Sequence, residues 1–151
     1  MLQGISPLLS PDLLHLLASM GHGDEVVLVD ANFPGAATAA RNGGRLVTCL
    51  GVDTPTMLRA VLSVLPLDQA VAEPAVVMEP QAGDTRYPAG VVPEAAAEII
   101  RLVEDHGFRC GKLERFSFYE RANGAFGIVQ IGELRVFGNV ILKKGVVKVA
   151  S

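Results

Sequence analysis

The sequence predicts an α/β domain of three layers, with helices on both faces of a mixed sheet, and three observations carry that prediction. Helix signals and short apolar strand signals alternate through the first two thirds of the chain. Val26-Val27-Leu28-Val29 is an unbroken run of branched apolar residues, the pattern of a strand buried on both faces. Strand patterns then dominate the last third, which predicts a sheet that is parallel in its first half and carries an antiparallel hairpin near its end.

The first helix starts with Ser10 as N-cap, Pro11 at the first helical position and Asp12 against the positive end of the dipole. Leu13, Leu14, Leu16, Leu17 and Met20 follow at helical spacing, and Gly21 or Gly23 ends the helix. Asp30 closes the first strand. Asn32-Phe33-Pro34-Gly35 reads as a turn, a weak Ala-rich helix runs to Arg41, and Asn42-Gly43-Gly44 leads into a second apolar run, residues 46–50. Thr54-Pro55 repeats the cap-then-proline signal for a helix bearing Met57, Leu58, Val61, Leu62 and Leu65, which Pro66 terminates.

Residues 75–78 form a short strand candidate, and residues 83–90, with Asp84, Arg86 and Pro88, form the expected mobile loop. Pro93 opens a helix whose apolar face is Ala96, Ile99, Ile100 and Val103, with Gly107 as its stop. Residues 113–119 alternate Phe116 and Phe118 with Arg115, Ser117 and Tyr119, which predicts a strand with two distinct faces. Strands are then expected over 126–131, 134–137, 140–142 and 146–149, the first two joined through a tight Gly132-Glu133 turn.

The 151 residues contain no repeat, linker or low-complexity stretch, so a single domain spanning 1–151 is expected. With 13 basic and 16 acidic side chains, the net charge of −3 offers no footprint for nucleic acid. No apolar run approaches the roughly 18 to 20 residues of a membrane span. The opening MLQGISPLLSPD lacks a charged leader region, so a cytoplasmic location is expected. Cys49 and Cys110 lie far apart without metal-ligand spacing and read as small buried hydrophobes. Half of the residues are apolar, with no Trp, and a chain this short then has more apolar surface than one core can bury. Self-association is the expected outcome.

Chemistry concentrates in four places. His22 stands between Gly21 and Gly23 where a helix has ended and a strand is about to begin, so its imidazole is exposed and placed to donate a proton near neutral pH. Asp30 follows the first strand directly, at the end where open α/β sheets bind ligands, although a turn cap explains it as simply. Arg115, Ser117 and Tyr119 share one face of the expected strand, and Phe137-Gly138-Asn139 sets an amide beside an aromatic ring. Ordinary turns and surface faces account for each of these singly. Glycine-rich phosphate loops, nucleophile elbows and zinc-protease motifs do not occur in the sequence, which directs attention to cofactor-free, metal-free proton transfer on a small polar ligand.

Taken together, the blocks ISPLLSPDLLHLLASMGHGDEVVLVDANFP, LPLD (65–68), VME (77–79), FYERA (118–122) and GNVILKKGV resemble the RbsD/FucU sugar mutarotases, and more closely their L-fucose mutarotase branch. The resemblance runs nearly end to end, with residues 41–52 and 81–92 contributing nothing. It implies an RbsD-like fold and interconversion of the α and β anomers of a free monosaccharide, L-fucose first. It also implies a ring-shaped homo-oligomer, a decamer among the assemblies allowed, with sites near subunit contacts and no cofactor or metal.

Carried over residue by residue, the resemblance makes His22 the proton donor and makes Asp30, Asp68, Met78, Arg115, Phe137 and Asn139 substrate-binding, with Tyr119 beside His22 as the second catalytic group. Whether Tyr119, Asp30 or a water takes the proton of the anomeric hydroxyl is left open by the residues. Many relatives carry tyrosine where this chain has Phe137, so sugar preference is less determined than the reaction. Competing readings are a mutarotase for another sugar such as D-ribose, a monosaccharide-binding accessory of sugar uptake that turns nothing over, and a ring subunit with no ligand.

Overall fold

The computed structural model describes residues 1–150, and its architecture is a six-stranded mixed sheet covered by helices on both faces. The elements in chain order are α1 (Pro11–Ser19), β1 (Glu25–Val29), α2 (Gly35–Ala40), β2 (Leu46–Cys49), α3 (Thr54–Leu62) and β3 (Ala75–Glu79). They continue with α4 (Glu94–Asp105), β4 (Cys110–Glu114), α5 (Arg115–Asn123), β5 (Gly127–Ile131) and β6 (Val140–Lys143). Strand order is β2-β5-β1-β6-β3-β4. Every pair is parallel except the two that β6 makes, antiparallel to β1 on one side and to β3 on the other.

The alternation of β1 distributes its side chains between two cores. Val26 and Leu28 join Leu13, Leu17, Met57, Leu58, Val61 and Ile99 beneath α1, α3 and α4. Val27 and Val29 point the other way, to Ala39 of α2 and to Phe118 and Ala122 of α5. Each fully buried side chain of the size of Phe118 or Leu58 stabilises the fold by about 1.5 to 3 kcal/mol. Close approach is required where α1 crosses β5, since a Cβ at Gly127 would lie 2.6 Å from Leu16 Cδ1.

Helix starts follow the expected chemistry with one displacement. Ser10 Oγ accepts from the Leu13 N–H at 3.2 Å, as its cap role requires. At α3 the cap is Asp53, which accepts from the Thr56 N–H at 2.8 Å, and Thr54 is instead fully buried with its hydroxyl donating to the Gly138 carbonyl at 2.8 Å.

The second half of the chain departs from the alternation reading. Residues 115–119 are helical, because the Glu114 carboxylate at the end of β4 accepts from the Phe116 and Ser117 N–H groups and caps α5 directly. The signal was the buried pair Phe118 and Ala122, four residues apart, while Phe116 stands 62% exposed. Arg115 and Tyr119 still share a face, now as helix neighbours, and Ser117 leaves it.

No hairpin forms at Gly132-Glu133, since the buried Glu133 carboxylate draws residues 132–139 into an irregular crossing over the sheet end. That crossing delivers β6 to the centre of the sheet. Residues 146–149 form no strand and are exposed. Cys49 and Cys110 are free and only partly buried, and burial pushes the Cys110 thiol up to about 12.

Candidate active site

Where β1 ends, the backbone turns sharply, and Asp30 makes the turn: its Oδ1 accepts from the N–H groups of Asn32 at 3.0 Å and Phe33 at 3.1 Å. β6 runs antiparallel beside β1, so the residue before it, Asn139, arrives next to Asp30. The two lock together, the Asp30 N–H donating to Asn139 Oδ1 at 2.8 Å and Asn139 Nδ2 donating to Asp30 Oδ2 at 3.1 Å. Asn139 Nδ2 also lies 3.8 Å from the Met78 sulfur at the end of β3.

Around this pair the structure forms a cavity of about 160 Å³, lined by Asp30, Asn32, Phe33, Met78, Arg86, Arg115, Tyr119, Val136, Phe137 and Asn139. Larger clefts occur under residues 80–93 and between residues 62–69 and the C-terminal segment. Of these three, the small cavity is the one that combines a buried carboxylate, an amide, a phenol and guanidinium groups with aromatic surface, the convergence that marks a polar-ligand site.

Burial pushes the Asp30 carboxyl above its ordinary range, opposed in part by the N–H groups of Asn32, Gly138 and Phe33 and by the Asn139 amide. The Tyr119 ring packs against Phe33 with centroids 5.2 Å apart, and the Arg115 guanidinium carbon lies 5.6 Å from the Tyr119 centroid. Among the described residues Arg115 has no carboxylate partner.

Phe137 is the one non-glycine residue with positive φ among the described residues, at 62°. A bulky residue there is strained and persists only where the surroundings fix it. They do so through Glu133, a buried carboxylate that accepts from the Thr54 N–H at 3.2 Å, the Arg135 N–H at 2.9 Å and the Arg135 guanidinium. Arg135 is held in turn by Glu98 at 2.8 Å, and a Cβ at Gly138 would lie 2.6 Å from Glu133 Cγ.

Six sequence-predicted site residues therefore meet in one cavity: Asp30, Met78, Arg115, Tyr119, Phe137 and Asn139. The chain does not bring His22 and Asp68 to them. These two pair with each other, His22 Nε2 to Asp68 Oδ1 at 3.3 Å, beyond the opposite end of β1. The five residues of that strand alone separate the two places by about 15 Å.

The His22 side chain is 54% exposed, and Gly23, with φ of 87°, turns the chain into β1. The Ala70 N–H and the adjacent His22 hold the Asp68 carboxyl below its ordinary range. The carbonyls at the end of α1 are taken by Lys144, which donates to Leu17 and Met20. Sequence reasoning missed Phe33, placed by the Asp30 turn, and Arg86, whose only sequence signal is an acidic residue two positions earlier.

Fold and cavity define an α/β protein with a small polar cavity, walled in part by aromatic rings, at the carboxyl ends of its parallel strands, the place where open α/β sheets bind ligands. Comparison with known proteins narrows that class. The chain belongs to the RbsD / FucU transport protein family, whose sequence model matches residues 3–147. It is 46% identical over 144 residues to a fucose mutarotase of Mus musculus, covering 95% of this chain and 94% of that protein. An L-fucose mutarotase of Actinobacillus pleuropneumoniae serotype 5b (strain L20) is 40% identical over 149 residues, 99% of each chain. The crystal structure of the fucose mutarotase from Streptococcus pneumoniae in complex with L-fucose superposes with a TM-score of 0.85 at 39% identity, covering 97% of this chain and 100% of that one.

Proposed function

We propose that this chain is a monosaccharide mutarotase that interconverts the α and β anomers of L-fucose. The observation that carries the reading is the locked Asp30–Asn139 pair in a cavity that also holds Tyr119 and Arg115, in a chain 46% identical to a fucose mutarotase. Anomer exchange needs a proton delivered to the ring oxygen and one removed from the anomeric hydroxyl. The C1–ring oxygen bond breaks, C1 of the open aldehyde rotates, and reversal of the two transfers closes the ring on the other face.

His22, as imidazolium, delivers the first proton, and Asp68 orients the ring through its Nε2 contact. Tyr119 serves the anomeric hydroxyl: its phenol has no protein hydrogen-bond partner among the described residues, whereas both Asp30 oxygens already accept from backbone or amide donors. The phenol oxygen accepts the anomeric proton as its own proton passes to water, and Asp30 and Asn139 hold the sugar. Phe137, Phe33 and Met78 offer apolar surface to the sugar's carbon face and to a deoxy methyl group.

The distance between the cavity and the His22–Asp68 pair gives this reading its second half. The working site is assembled from two copies of the chain, the cavity of one facing the His22–Asp68 pair of the next. Exposed apolar side chains support such self-association, among them Phe116, Leu134, Val146 and Val147, each more than 60% exposed. Saturation-difference NMR on equilibrated L-fucose, D-ribose, D-galactose and L-rhamnose tests the activity. Accelerated exchange of L-fucose that disappears in His22→Ala is expected. Saturable binding without acceleration of any sugar would make the protein a sugar-binding accessory instead.

A further inference from the structure

We propose that Arg86 is a specificity-determining residue of this site, a guanidinium that Asp84 fixes in place to donate to neighbouring hydroxyls of a neutral sugar; the inference rests on the monosaccharide reading above. Every other side chain lining the cavity comes from the ends of β1, β3 and β6, from α5, or from the crossing before β6. Arg86 alone comes from residues 80–93, the segment joining β3 to α4.

Local geometry pre-organises it. Asp84 Oδ1 accepts from the Arg86 N–H at 2.9 Å and from its Nε at 3.3 Å, and Asp84 Oδ2 accepts from Nη2 at 3.0 Å. The carboxylate is nearly buried, with 8% of its side chain exposed, while the Arg86 side chain is 60% exposed. One edge of the fork is thus anchored, and the other keeps its N–H groups for a ligand. The next residue fastens the segment to the cavity wall, the Tyr87 ring meeting the Phe137 ring edge-on at 5.4 Å.

Charge decides the class of ligand group. Arg86 is neutralised by Asp84, so the pair offers donors without net charge and suits hydroxyl oxygens. An anionic group is better served by Arg115, which lacks a carboxylate partner among the described residues. Phe137 gives this wall no hydroxyl, so Arg86 is the polar group that segment 80–93 contributes to sugar discrimination.

Arg86→Gln and Asp84→Asn test the assignment through KM and kcat for exchange of L-fucose and its monodeoxy analogues. Arg86→Gln is expected to raise the KM for L-fucose about ten-fold, with kcat held within about two-fold. One deoxy analogue, lacking the contacted hydroxyl, is expected to show no such loss. Asp84→Asn, which keeps the guanidinium but frees it, is expected to raise the same KM about three-fold.

An unchanged KM in Arg86→Gln, or an equal loss on every analogue, overturns the inference while leaving the mutarotase reading intact. Should the wild type exchange no sugar, the mutarotase reading falls, and L-fucose titration decides Arg86 separately. About ten-fold weaker binding by the variant then supports it, and equal binding or none by both proteins overturns it.

Discussion

Asp30 and Asn139, 109 residues apart in sequence, hydrogen-bond each other in both directions, backbone N–H to amide oxygen and amide N–H to carboxylate. The relationship exists because β6 enters the sheet between β1 and β3 and runs against both. The end of β1 and the beginning of β6 are therefore neighbours, and each residue completes the hydrogen bonding of the other in a buried place.

Asn139→Ala strips the buried Asp30 N–H of its acceptor and Asp30 Oδ2 of its amide donor, leaving the N–H groups of Asn32 and Phe33 on Oδ1, and is expected to cost about 1 to 3 kcal/mol of stability together with measurable sugar affinity. Urea unfolding and L-fucose titration read the two effects. Asn139→Asp sets a second carboxylate against Asp30, whose pKa burial already raises, so its stability deficit is expected to be large at pH 7 and to shrink as the pH falls and the pair takes up a proton. A deficit independent of pH would contradict the paired geometry.

Glu133→Gln probes the support beneath Phe137. Burial alone would raise the Glu133 carboxyl, but hydrogen bonds from Arg135 and Thr54 outweigh it and hold the pKa below the ordinary value. A depressed carboxyl contributes stability that is present above the unfolded value, about 4.3, and is lost as pH falls through the lower folded value. Glu133→Gln is accordingly expected to be less stable than wild type by about 1 to 3 kcal/mol at pH 7, with the difference closing below about pH 4 in thermal or urea unfolding. Equal stability at pH 7 would show that the carboxylate is not needed to hold the crossing.

Phe137→Tyr adds a hydroxyl to the cavity wall while preserving the ring that packs on Tyr87. Sugar discrimination is expected to change, with the ratio of KM values for L-fucose and D-ribose moving by about ten-fold and L-fucose favoured. Unaltered ratios across the four sugars would mean that this wall does not touch the hydroxyls that distinguish them.

How much of this was legible in the sequence follows from the range of each interaction. The α1 cap, the doubly buried β1 and the Asp30 turn depend on residues a few positions apart, and all three were readable. Residues 115–119 were not, because Phe116 and Phe118 imitate a strand alternation that the Glu114 cap overrides. The missing hairpin has a longer-range cause: Glu133 is drawn inward by Thr54, 79 residues earlier, and no local pattern records that. Arg86 was invisible because its place in the cavity depends on a Tyr87–Phe137 contact between two loops. The separation of His22 from Asp30 follows from β1, the extended strand that lies between them.

The claim that the working site is built from two copies is tested most directly by mixing two variants, His22→Ala and Asp30→Asn, unfolding and refolding them together at equal amounts, and following L-fucose exchange by NMR. Each variant alone is expected to be inactive. Random assembly is expected to restore about a quarter of wild-type exchange, since some cavities with an intact Asp30 then face an intact His22 of a different copy. If refolded wild type is active and the refolded mixture is as inactive as its components, His22 and Asp30 are not joined across copies, and the shared site is contradicted.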